Sequence, residues 1–158
     1  MKKLILILSI IALAGCKSKK ITPSEPKADE VVQLTLNQIN NNQKNKAYEL
    51  GKRVLMTCNT SKFKPFTNSE ATTSVINNIT IEKLSKTCTK YRQWYGTFKD
   101  LELAEVYQNT KDQTTVYRFK ALYSKKVANK ELRVFMNTDN LVSAIKTSDW
   151  TTTFTYNK

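Results

Sequence analysis

Two hydrophobic periods divide this chain. Up to Gly96 apolar residues recur every third or fourth position, and beyond it they alternate with polar ones. Within residues 28–40, Val32, Thr35, Leu36 and Ile39 fall on one side at helical spacing and the run Asn40-Asn41-Asn42 closes the segment, which predicts a short amphipathic helix. Residues 44–58 put Ala47, Leu50, Gly51, Val54 and Cys58 on one stripe, with Lys46, Glu49, Lys52 and Arg53 mostly turned away, and predict a second. Pro65 breaks the pattern, and Thr67-Asn68-Ser69-Glu70 has the form of a capping box for a short helix through about residue 77. Thr80 is placed to cap a further helix whose stripe is Ile81, Leu84, Cys88, Tyr91 and Tyr95, with Gly96 as the glycine that ends it.

Four strands are then predicted, at residues 100–108, 116–123, 132–137 and 140–147, joined by short polar connectors that favour hairpins over crossovers. In the first of them Leu101, Leu103, Glu105 and Tyr107 share a side. Helices followed by a meander predict an α+β domain, with N-terminal helices packed on one face of a curved, antiparallel, four-stranded sheet.

The start of the chain reads as an address. Lys2 and Lys3 precede an apolar run at residues 4–13, too short to span a bilayer, and Leu13-Ala14-Gly15-Cys16 follows. That ending resembles the bacterial lipobox, which implies cleavage before Cys16 and diacylglyceryl on its thiol. Residues 1–15 are then a signal peptide, residues 16–28 the lipidated cysteine and a flexible tether rich in lysine, serine and proline, and residues 29–158 a single domain. Several acyl chains on one cysteine anchor a protein stably, at about 0.8 kcal/mol per buried methylene. The expected location is a bacterial cell envelope, with attachment to the membrane through the N-terminal lipid. No Asp follows Cys16; Asp there resembles an inner-membrane retention signal, so the outer membrane facing the periplasm is expected.

Composition narrows the chemistry. The 158 residues include no His, three Cys and three Gly. Histidine-based triads, histidine-ligated zinc and histidine-paired cysteine nucleophiles are excluded. Gly15, Gly51 and Gly96 cannot make a phosphate-binding loop. No catalytic residue, metal or cofactor is assigned. With Cys16 given to lipid, Cys58 and Cys88 remain as an even pair in an oxidising compartment, each on the apolar stripe of its helix; they form either a disulfide or two buried free thiols. The net charge is +13, of which 20 basic against 12 acidic residues leave +8 on residues 29–158. Two basic clusters stand out. Residues 83–99 hold Lys83, Lys86, Lys90, Arg92 and Lys99 without an acid, and residues 118–133 hold six basic residues against Glu131. Each is either a solvated face or a surface for anionic partners. Export disfavours nucleic acid, which leaves lipid phosphates or acidic glycans.

The run from Ile81 through Trp94-Tyr95-Gly96-Thr97-Phe98 into Leu101, followed by three hairpins, is similar to small bacterial domains of the nuclear transport factor 2-like, cystatin-like cone superfamily, several of them uncharacterised lipoproteins. The likeness covers roughly residues 29–150. It implies a cone whose open end, between helices and sheet, holds an apolar ligand, and homodimers that pair through the outer sheet face. Enzymes of this superfamily that isomerise or dehydrate use acids or histidine in the cone. Glu105, on the Leu101 side of its strand, is either such an inward general base or a sheet carboxylate paired with Arg118 or Lys120. Tyr91, Tyr95, Phe98, Tyr117 and Phe119 either line the cone mouth or fill the core. Trp94 lies off the main stripe, and it, Trp150 and Phe154 either cover the sheet or belong to a partner interface. The expected function is non-catalytic binding of a small apolar ligand or an envelope protein. An accessory role using basic faces on anionic lipids or glycans is the alternative, and a cone enzyme the third.

Overall fold

A computed structural model describes residues 30–156, so the leader, the lipobox and the tether lie outside the described residues. The adjacent β-branched residues Val31 and Val32 are stiff at χ1 and favour extended backbone. They open strand β1 (Val31–Gln33), which pairs antiparallel with the far end of the next strand, Val31 opposite Asn109 and Gln33 opposite Tyr107. The helix expected over residues 28–40 is therefore absent. Only one 3-10 turn forms, Leu36–Gln38, because Gln38 Oε1 accepts from the Thr35 N–H at 2.9 Å and closes the turn on itself.

Helix α1 (Asn41–Thr60) starts where Asn40 Oδ1 accepts from the Gln43 N–H at 3.1 Å and ends at Ser61 in the left-handed region, φ 55°. Its buried face is Ala47, Leu50, Gly51, Val54, Leu55 and Thr57. Gly51 is required by the close approach to the sheet, since a Cβ there would sit 2.6 Å from Leu132 Cδ2. The expected capping box at Thr67 is half formed: Glu70 Oε2 accepts from the Thr67 N–H at 3.0 Å, but the segment is a turn, and helix α2 (Thr73–Asn78) starts only after Ala71 has bridged to Val142. Arg53 takes the Glu70 carboxylate in two hydrogen bonds, 3.0 and 2.7 Å, which holds that turn against α1. Helix α3 (Ile81–Tyr95) is capped by Thr80 and ends at Gly96, φ 80°.

The remaining strands are β2 (Phe98–Asn109), β3 (Thr114–Tyr123), β4 (Lys130–Met136) and β5 (Val142–Asp149). The sheet is antiparallel throughout, in the order β1-β2-β3-β4-β5, so it has five strands, the additional one standing where a helix was expected. The fold is α+β. Tyr117, Phe119 and Ala121 of β3 and Leu132, Val134 and Met136 of β4 pack with Ala47, Leu50 and Val54 in one core. The disulfide Cys58–Cys88 ties α1 to α3.

Candidate functional site

Among the described residues the buried charged side chains, Arg118, Glu131 and Arg133, gather on the sheet face away from the helices, and a bulge turns Glu105 towards them. Leu103 pairs with Phe119 but Glu105 with Arg118, so Ala104 is an extra residue and the strand changes phase. Leu101 and Leu103 lie on the core side, whereas Glu105 and Tyr107 turn outward. Glu105 does not point under the helices; its Oε2 accepts from Arg118 Nη1 at 2.6 Å.

Around that pair a closed polar network has formed. The Arg118 side chain is wholly buried, with Nε donating to Glu131 and Nη2 donating to the Thr151 carbonyl at 2.6 Å. Glu131 is buried too, and accepts also from Arg133 Nε and from Ser148 Oγ. Residues 150–156 lie over this network. Trp150 covers the Arg118 guanidinium at 3.8 Å, and Phe154 stacks on Tyr107 at 3.8 Å with its face 4.8 Å from the Arg133 guanidinium. Two arginines balance two glutamates, and among the described residues no buried side-chain polar atom is left without a partner. The part of the outer sheet face around Arg118, Glu131 and Arg133 is thus covered by residues 150–156, while Glu102 and Lys120 on the same face stay exposed, and the basic cluster of residues 118–133 divides into two buried, neutralised arginines and lysines outside them.

A second closed unit joins α1 to β2. The Tyr48 hydroxyl donates to Asp100 at 2.6 Å, and Lys52 Nζ donates to Asp100 at 3.0 Å and to Tyr48 at 2.9 Å. The Tyr48 hydrogen bond, then that from Lys52, holds the Asp100 carboxyl at about 2, and Arg53 holds that of Glu70 at about 2.

The aromatic residues singled out from the sequence separate into two places. Tyr117 and Phe119 are core residues under α1; Tyr117 donates to Gln43 at 3.0 Å, and burial pushes its hydroxyl up to about 12. Tyr91, Tyr95 and Phe98 cluster with Tyr123 near the end of α3, ring centroids 5.3–6.3 Å apart.

Of that cluster Phe98 is buried in the core, whereas Tyr91 borders an open cleft. Helix α3 buries only Cys88 fully, and its half-buried side faces β5 across a gap. Val54, Leu55 and Cys58 of α1 line the cleft, with Leu84, Thr87 and Tyr91 of α3, Ile145 and Thr147 of β5, and Ile79; its volume is 160 Å³. The Tyr91 hydroxyl donates to Thr147 Oγ1 at 3.0 Å and crosses the gap. Beyond Tyr91, Lys130 lies 5.0 Å from the Tyr95 ring and 2.6 Å from Asp149. Burial works against its charge more than any one partner favours it, but the Asp149 and Tyr95 hydrogen bonds together with the nearby Tyr91 and Asp149 charges outweigh that cost and its pKa is raised. No ionised group lines the cleft itself, so it offers shape and apolar surface rather than proton transfer.

Sequence reading found Leu84, Cys88 and Tyr91 as a stripe but missed Ile145 and Thr147, which face them from the last strand. It also missed Glu131 and Arg133 as one unit with Arg118. Alternation carried that signal, since Arg118, Glu131 and Arg133 all fall opposite the apolar positions of their strands. Comparison with protein-family models, with curated proteins and with solved structures finds no match for this chain.

Proposed function

We propose that this chain is a lipid-anchored protein of a bacterial cell envelope, attached through Cys16 to the outer membrane and facing the periplasm, whose folded domain is a non-catalytic binding module. The observation that carries the binding half is the cleft between α3 and β5: apolar and open, with half-buried Leu84, Tyr91 and Ile145 on its walls. The layout of helices over one sheet face supports a cone-like reading in which this cleft is the mouth. Glu131, Glu105 and Glu70, the acids with least exposure, are each engaged by arginine, which supports binding over acid–base chemistry. A pocket for a whole small molecule needs about 300 Å³ or more. At 160 Å³ the cleft fits a single apolar group, and we assign its occupant as the anchor side chain of a partner envelope protein.

Native mass spectrometry of the full chain, taken from its own envelope in mild detergent, tests this. A co-purifying protein mass is expected that disappears in a Leu84→Trp variant, whose ring fills the cleft. A wild-type chain that arrives alone, or a partner mass indifferent to that substitution, would reject the assignment; a lipid-sized mass in place of a protein would reject the protein partner.

A further inference from the structure

The outward side of α3 is unlike the rest of the surface. Lys83, Lys86, Lys90 and Trp94 recur at spacings of three and four and so form one stripe, opposite Leu84, Cys88, Tyr91 and Tyr95, which face the fold. All four stripe residues are exposed, Trp94 by 54%. The turn between β3 and β4 extends the same corner: Lys125 Nζ donates to the Gln93 carbonyl at 2.6 Å, and Val127, 72% exposed, shares a shallow hollow with Trp94, Tyr95, Asn129 and Asp149, whose carboxylate is paired with Lys130. Among the described residues no carboxylate lies within ion-pair distance of Lys83, Lys86, Lys90, Lys125 or Lys126. The charges of these lysines are therefore not neutralised, Lys83 and Lys125 being held only by neutral oxygens of Asn77, Asn78 and Gln93, whereas Arg118 and Arg133 of the other basic cluster are spent on internal carboxylates.

We propose that this corner is a docking surface for an anionic lipid bilayer. A row of lysines ending in an exposed tryptophan suits the headgroup layer. The ammonium groups pair with lipid phosphates, while the amphipathic indole and the Val127 side chain enter the boundary between headgroup and acyl chain. Lys90 Nζ, 5.8 Å from the Trp94 ring, places charge and indole together at that boundary. The helix lies along the membrane, with its stripe against it, and the corner is separate from the cleft, which opens on the other side of α3.

The test uses residues 28–158, which contain the whole described core but neither Cys16 nor the tether lysines. Flotation with phosphatidylcholine vesicles, with and without phosphatidylglycerol, measures affinity, and tryptophan emission reports insertion. Binding is expected only with phosphatidylglycerol, with a blue shift that is lost in Trp94→Phe. Replacing Lys86, Lys90 and Lys126 by Gln should weaken it by about 5-fold per lysine, about 100-fold in all. Replacing Lys62, Lys64 and Lys146 by Gln serves as the control for net charge and should leave it within about 5-fold. Equal losses in the two triple variants would overturn the proposal, as would no binding to phosphatidylglycerol vesicles or binding without a Trp94 shift. Capture of the same corner by an acidic envelope protein, with vesicles leaving it untouched, would overturn it as well.

Discussion

Glu131 is the residue on which the outer sheet face depends. It lies between two guanidinium groups in a site without water-facing surface, and each of its oxygens is engaged. Glu131→Gln removes the charge that both arginines balance against, and breaking a buried pair in this way costs about 3–5 kcal/mol. Urea denaturation should show that loss, and a change below about 1 kcal/mol would mean that water reaches the arginines. Acid acts elsewhere. The Glu70 carboxyl is held at about 2 against an ordinary 4.5, so the unfolded chain takes up that proton first. The stability it supplies is complete above about pH 4.5 and is lost as pH falls towards 2. An Arg53→Met variant should be less stable by about 1 kcal/mol at neutral pH and should lose stability less steeply over that acid range, as read from denaturation curves at a series of pH values. Unchanged acid dependence in that variant would assign the transition to another carboxylate. Pairing of Glu105 with Arg118 was one of two readings open in the sequence, since alternation alone placed Glu105 beside Leu103. Nothing in the local residue pattern marks Ala104 as a bulge, and that one extra residue decides which face Glu105 takes.

Helix α3 buries far less of itself than helix α1 does, and the disulfide ties the two together. Of its residues only Cys88 is fully buried, and the bond to Cys58 closes a separation of 30 residues. Replacing both cysteines by Ala removes a constraint of roughly 3–4 kcal/mol. Hydrogen exchange should then rise across α3 while β3 and β4 stay protected; equal loss of protection everywhere would show that α3 is integral to the core. Helices α1 and α3 were legible through their apolar stripes, and Thr80 and Gly96 cap α3 as expected, whereas Asn40, read as closing a preceding helix, instead starts α1 three residues earlier than the expected residue 44. Residues 28–40 misled because Val32, Leu36 and Ile39 fit a helical period by chance of spacing, while the gain that decides the segment is pairing with Gln108 and Asn109, far along the chain. The Thr67 box misled for a related reason. Glu70 does reach back to Thr67, but Arg53 on another element holds it, and the helix begins only at Thr73.

At the scale of the whole molecule, helices occupy one face of the sheet and residues 150–156 part of the other. The α+β class and the meander order follow from the change of hydrophobic period at Gly96. The partial closure of the outer face does not, because Trp150, Phe154 and Tyr156 lie in a short run without periodicity and find their partners only in three dimensions. The cleft was half legible: α3 supplied a visible stripe, but the opposing wall comes from β5, where Ile145 and Thr147 are separated by Lys146 and read as an ordinary strand edge. With the buried carboxylates engaged by arginine and the cleft free of ionised groups, the proposed role is apolar recognition. Among the described residues no helix is long and apolar enough to cross a membrane.

The most direct measurement is site-specific photo-crosslinking in the native envelope, with benzoylphenylalanine placed at Thr87 on the exposed rim of the cleft, where it leaves the Leu84 wall open, or, as a control, at exposed Glu102 on the other sheet face. Docking of a partner side chain in the cleft predicts one discrete protein adduct from position 87 whose crosslinked residue is apolar, and none from position 102. Equal labelling from both positions, or no adduct from the cleft, would contradict it.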